Sequence, residues 1–161
     1  MPRRHAPRHA PQAAPQAAPQ HAATSRRTPR ALIDPIDNAA DALAVIAAAT
    51  QSPLQAETIA FALDDGGYGS VITVVANTDD PDCLVPIVEV LCEAASVDPF
   101  LSGLVVATVR PHGATEPGDV DRWLEASAVA DIAGIELIEW FVIGPAGIEC
   151  PRDLLGEPER W

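Results

Sequence analysis

The stretch LSGLVVATVRPHGATEPGDVDRW, Leu101 to Trp123, decides how this chain is read. Its first nine residues form an unbroken apolar run rich in β-branched side chains. Such a run reads as a strand covered on both faces, the pattern of a strand inside a layered α/β fold. EPGDVDRW, from Glu116 to Trp123, then opens a helix. Glu116 is expected as its N-cap, Pro117 fits the first helical position, and Asp119 falls at N3, where an acid suits the helix dipole. Gly134 is the expected stop. Between strand and helix lies a loop holding Arg110 and His112.

Working outward, IDNAADALAVIAAAT (Ile36 to Thr50) has helical periodicity, with Asp37 or Asn38 as cap and Leu43, Ile46 and Ala47 turned inward. AETIAFALDDGGYGSVITVVAN (Ala56 to Asn77) reads as a hairpin around DDGGYG. These glycines do not make a phosphate loop, because they lie between two strands and no lysine follows. DDPDCLVPIVEVLCEAA (Asp79 to Ala95) reads as a helix with an irregular start at Pro86 and an inward face of Leu84, Val88, Leu91 and Ala95. Cys92 within it is expected to be a buried thiol. IELIEWFVIG (Ile135 to Gly144) is a further strand, PAG a tight turn, and IECPRDLL the start of a last short strand. The order α-β-β-α-β-α-β, with that final strand, predicts an α/β fold with a mixed sheet and flanking helices.

Charge divides the chain. Residues 1–30 hold six arginines, no acid and a repeated APQA unit; the remaining 131 residues hold 23 acids against four arginines, a net of −19. The first segment lacks the large apolar side chains that would offset ordering entropy, so a disordered arm is expected over 1–30 and one ordered domain over 31–161. The acidic body is unsuited to a nucleic-acid backbone, whereas the arm has the charge for weak contact with nucleic acid or an acidic surface. No apolar run is long enough to span a membrane, and the N-terminus lacks the apolar core of a signal peptide. With three cysteines and no CxxC, a cytoplasmic protein is expected. The alanine-rich, lysine-free composition suits a high-GC bacterial genome.

From Glu89 onward the sequence resembles the RadC-type JAB/MPN domain, a metallopeptidase-like family. EVLCEA (Glu89 to Ala94) stands where that family has a motif like EVFREA, RPHG (Arg110 to Gly113) where it has HPSG, and EPGD (Glu116 to Asp119) where it has SPxD. LIEWFVIG matches its closing strand, and the resemblance spans about residues 55–150. The family's metal motif is H-x-H-x7-S-x2-D. Two histidines two apart on a strand project to the same side. With the aspartate they hold zinc and leave a fourth position for water. Here the histidine positions fall on Thr108 and Arg110, with a loop about two residues shorter, and the serine position falls on Glu116; only the aspartate persists, as Asp119. An unshortened loop puts the histidine positions on Val106 and Thr108, again without an imidazole.

The resemblance therefore implies a JAB/MPN-like domain without its HxH ligands. Arg110 repels a dication and cannot shed its proton. It is expected to take the metal's place and pair with Asp119. The positions Thr108, Arg110, His112, Glu116 and Asp119 form the candidate binding surface, with no catalytic residue and no cofactor expected. If a metal binds, the ligands available are His112, Glu116 and Asp119, and the metal implied is zinc. Glu89 and Glu93 read as a solvated helix face. Trp140 reads as core, Trp123 as lying near the cleft, and Trp161 as a residue that docks back or presents a contact. The expected function is a non-catalytic protein-interaction or scaffold domain with an unidentified protein partner. The alternatives are a metal-dependent peptidase or isopeptidase with an altered ligand set, and a DNA-repair-associated accessory protein using its basic arm.

Overall fold

The computed structural model describes residues 27–69 and 71–161. Most of the expected arm, residues 1–26, lies outside the described residues. The elements are α1 (Ala39–Ala49), β1 (Glu57–Asp64), β2 (Ile72–Ala76), a 3-10 turn (Pro81–Cys83), α2 (Leu84–Ala95), β3 (Leu101–Val109), α3 (Asp119–Ile132), β4 (Glu136–Gly144), β5 (Gly147–Glu149) and a second 3-10 turn (Pro151–Leu155). The described residues form an α/β fold, with three helices and a five-stranded mixed sheet in the order β2-β1-β3-β4-β5. β1 pairs antiparallel with both β2 and β3, β3 pairs parallel with β4, and β5 pairs antiparallel with β4.

β3 is central because its sequence allows nothing else: from Gly103 to Val109 every residue is buried. Alternation sends Leu104 and Val106 to one face and Val105, Ala107 and Val109 to the other. The first face packs on Val88 and Cys92 of α2 and on Trp123, Ala126 and Ala130 of α3. The second packs on Ala42, Val45 and Ile46 of α1. α3 is the crossover that joins the parallel pair β3 and β4, and it brings the loop after β3 back over the end of the sheet. Among the described residues no helix is long and apolar enough to cross a membrane.

Several local expectations are corrected. The inward face of α1 is Ala42, Val45 and Ile46, whereas Ala47 is exposed. Its cap is Asn38, whose Oδ1 accepts the Asp41 N–H at 3.0 Å. On α2 the deeply buried position is Cys92 rather than Leu91, which is only partly covered. The irregular start lies not at Pro86, which sits inside the helix, but before it, as the 3-10 turn at Pro81–Cys83 capped by the Asp80 carboxylate. α3 begins at Asp119, not at Pro117, and its N-cap is Gly118 with φ 102°, not Glu116. That left-handed backbone favours glycine, and it moves Asp119 from the third helical position to the first. Trp123 is fully buried among α2, α3 and the sheet, so it is not a cleft residue. Trp140 is core, and Trp161 docks back against the α1-side core.

Candidate functional site

Thr108 and Arg110 project from β3 to the α2/α3 side, two residues apart as the strand period requires. Thr108 is buried, and its Oγ1 accepts the indole N–H of Trp140 at 3.0 Å. Arg110 continues the strand by one rung, its N–H donating to the Ile143 carbonyl at 2.8 Å. Its guanidinium stands 5.9 Å from the centre of the Trp140 ring and turns inward beneath the loop.

There it meets Asp119 in a two-pronged pair: Nη1 donates to Oδ2 at 2.7 Å and Nη2 to Oδ1 at 2.9 Å. The side chains are 9% and 0% exposed. The planar fork matches the carboxylate edge to edge, the geometry in which arginine differs most from lysine. Arg110 Nη1 also donates to the Ala114 carbonyl at 2.9 Å, which ties the loop to the pair. Asp119 receives two further donors, the Glu116 N–H at 2.6 Å and Arg122 Nη1 at 3.1 Å. Arg122 in turn pairs with Asp82 at 2.7 Å, linking α3 to the turn before α2. The result is a chain Arg110–Asp119–Arg122–Asp82 running from the end of β3 across the start of α3.

Burial alone would raise the Asp119 pKa. The hydrogen bonds from Arg110 and the Glu116 amide, with the charge of Arg110 and the bond from Arg122, outweigh it and hold the carboxyl below its ordinary value. Arg122 gains more from Asp82 and Asp119 than partial burial removes, so its pKa is raised.

The loop is held from its other side as well. The Thr115 N–H donates to Glu149 on β5 at 3.0 Å. Gly144, at the end of β4, approaches so closely that a Cβ there would fall on the Gly113 carbonyl oxygen. His112 and Glu116 are exposed on this loop, and Asp119 is inside. Among the described residues no three His, Cys, Asp or Glu side chains converge as a metal requires. The donor set around Asp119 does not fit a divalent cation, since two guanidiniums and one amide already occupy both carboxylate oxygens. Glu89 and Glu93 lie on the exposed side of α2.

Two open clefts flank the loop. One, of ≈ 500 Å³, is lined by Gln51, Gln55, Asn77, Asp79, Pro111 and His112 among others. The second, of ≈ 180 Å³, adds Thr78, Arg110, Gly113 and Glu116. They lie beyond the C-terminal end of β3, where open α/β sheets accept ligands.

A second buried pair went unread in the sequence. Glu139 of β4 and Arg152 are 1% and 3% exposed and meet at 2.7 Å. Burial outweighs Arg152 and raises the Glu139 pKa. Arg152 also donates to the Glu157 carbonyl at 2.6 Å, and Arg160 to the Leu137 carbonyl at 3.1 Å. These contacts strap the C-terminal segment to the side of β4. The signal available was a carboxylate inside the apolar run IELIEWFVIG, which demands a partner when buried.

The chain matches no protein-family model and no curated protein.

Proposed function

We propose that this chain is a JAB/MPN-like domain that works by binding a protein partner and carries no hydrolytic centre. The observation behind this reading is the Arg110–Asp119 pair. It puts a fixed, always-charged guanidinium on the one carboxylate that the family's metal motif would supply, at the strand end where that motif would stand. A cation that cannot leave replaces one that would have to bind, and the loop from Arg110 to Asp119 keeps its shape without a metal. The binding face is the outer side of that loop, where His112, Ala114, Glu116 and Pro117 are exposed and His112 and Glu116 line the clefts. Fold alone grants no activity, so the argument rests on these side chains.

The test is photo-crosslinking of the full chain in its host cell, with a photoreactive residue at His112 or Glu116 and a control at Val90, on the exposed side of α2. The reading predicts one discrete adduct from the loop positions and none from the control. Equal labelling from all three positions, or chelator-sensitive peptidase activity of the purified chain, would contradict it.

A further inference from the structure

The two edges of the sheet are treated differently. At the β5 edge the last strand is three residues long and is followed, after Cys150, by Pro151. The part of β4 that β5 does not reach is covered by Arg152, Arg160 and the self-contact of Glu139 with the Trp140 N–H. These are the devices that stop a sheet from pairing with another chain. On the opposite edge the strand itself has none of them, and among the described residues only Thr28, Pro29, Arg30 and Ala31 come near its start, beside Val71 and Ile72. β2 reads ITVVA, with no charge, proline or glycine. Val71, Ile72 and Val74 are 66%, 44% and 44% exposed.

The register fixes which backbone groups are open. Asn77 N–H donates to the Ala56 carbonyl at 2.9 Å, so the antiparallel alternation turns the amides of Thr73 and Val75 toward β1. Ile72, Val74 and Ala76 then present theirs outward, and among the described residues no backbone group receives them. A shallow groove runs along each side of this edge. The α1-side groove, ≈ 110 Å³, is floored by Phe61 between Val45, Ala48 and Ile72; its charged residues, Arg30 and Asp34, are already paired with each other at 3.0 Å. The α2-side groove, ≈ 170 Å³, is lined by Ala60, Thr73, Leu91, Ala94, Leu101 and neighbours, without a single charge.

The geometry points to β2 as a self-association edge: a second copy of this chain pairs with it antiparallel, about a two-fold axis through Thr73. Three features single out a second copy. First, the strand is self-complementary. The axis sets Ile72 opposite the partner's Val74 and Val74 opposite the partner's Ile72. Both residues have outward amides, so these are hydrogen-bonded pairs, and both side chains lie on the α1 face, where they form apolar cross-strand contacts. A closed two-fold contact uses the same patch twice. Second, charge permits it. The chain carries a net −13, so contact between two copies is repulsive over most of the surface, whereas the strip from Val71 to Ala76 bears no charge. Third, the chain's own N-terminal residues make a poor strand here, because prolines at 2, 7, 11, 15 and 19 each remove a backbone donor. The pairing would give a continuous ten-stranded sheet.

The test is sedimentation velocity of the full chain from low to high micromolar concentration, in low and moderate salt. The expected result is a concentration-dependent species of twice the chain mass, favoured by added salt because screening relieves the like net charge. Val74→Lys should weaken dimerisation by more than about tenfold by placing a charge inside the contact. Val90→Lys, with the same change on the exposed side of α2, should leave it intact. Amide exchange of the unaltered chain gives an independent readout: Ile72 and Val74 should gain protection as concentration rises. A monomer at every concentration and salt, or a dimer that survives Val74→Lys with the fold intact, would overturn the inference. So would protection of these amides that is independent of concentration and vanishes when residues 1–26 are removed.

Discussion

Replacing Arg110 and Asp119 separately by alanine should destabilise the protein unequally, and the inequality tests how the pair is built. Arg110→Ala removes the two short bonds to Asp119, at 2.7 and 2.9 Å. The carboxylate keeps the Glu116 amide and Arg122, at 2.6 and 3.1 Å, and it can also take up a proton. Hydrogen bonds to charged groups contribute about 1.5–3 kcal/mol each, so with this partial compensation the loss should be roughly 3 kcal/mol. Asp119→Ala leaves the guanidinium buried with one remaining acceptor, the Ala114 carbonyl, and no means of neutralising itself. It also leaves the Glu116 amide without its acceptor and removes one of the two carboxylates that Arg122 meets, Asp82 being the other. The cost should be about 4–5 kcal/mol, the upper end for breaking a buried pair. Urea unfolding followed by far-UV circular dichroism at pH 7 reads both losses, with the slope unchanged if the change lies in the folded state. Because Asp119 is held below its ordinary value, its contribution is complete above the unfolded value of about 3.9 and is lost as pH falls through the folded one. The gap between the unaltered chain and Arg110→Ala should therefore close in acid. Losses below about 1 kcal/mol for both variants, or a larger loss for Arg110→Ala, would refute the reasoning.

Other outcomes follow from the same contacts. Gly144→Ala should cost about 1–3 kcal/mol and shift the loop resonances around Gly113, since a Cβ there has no room; unchanged chemical shifts would contradict this. The raised Glu139 pKa gives a contribution that is complete below about pH 4.3 and lost as pH rises through the folded value, so Glu139→Gln should flatten that decline in urea midpoints measured between pH 4 and 7. Cys150, pushed up to about 12 by burial and by the nearby charges of Glu139 and Asp153, should react with iodoacetamide at pH 8 far more slowly than a free thiol; mass spectrometry of the adducts decides. Ser127 Oγ is buried without a hydrogen-bond partner, so Ser127→Ala should be neutral or stabilising by up to about 1 kcal/mol in thermal unfolding.

Much of the layered fold was legible because it rests on local pattern. The unbroken apolar run of β3 required cover on both faces, and the two helical periods around it supplied one of them. The placement of Thr108 and Arg110 on one side followed from the strand period alone. The readings that failed depend on geometry beyond a few residues. The shift of the α3 start follows from the backbone at Gly118, where a left-handed φ replaces the expected side-chain cap. The burial of Trp123 depends on α2 and on the returning C-terminal segment, where Glu157 meets its indole N–H and Arg160 its ring. Arg122 was readable as a partner of Asp119 by its spacing of three on a helix. Its bond to Asp82, forty residues away, was not.

The central claim is that the Arg110–Asp119 pair stands where a metal would need to be. The most direct test is the zinc content of the untagged full chain after equilibration with zinc and desalting, measured by elemental mass spectrometry beside Asp119→Ala. The account predicts no stoichiometric zinc in either protein. About one zinc per chain in the unaltered protein, lost in Asp119→Ala, would contradict it, since a structural zinc site binds at roughly that ratio through such a carboxylate.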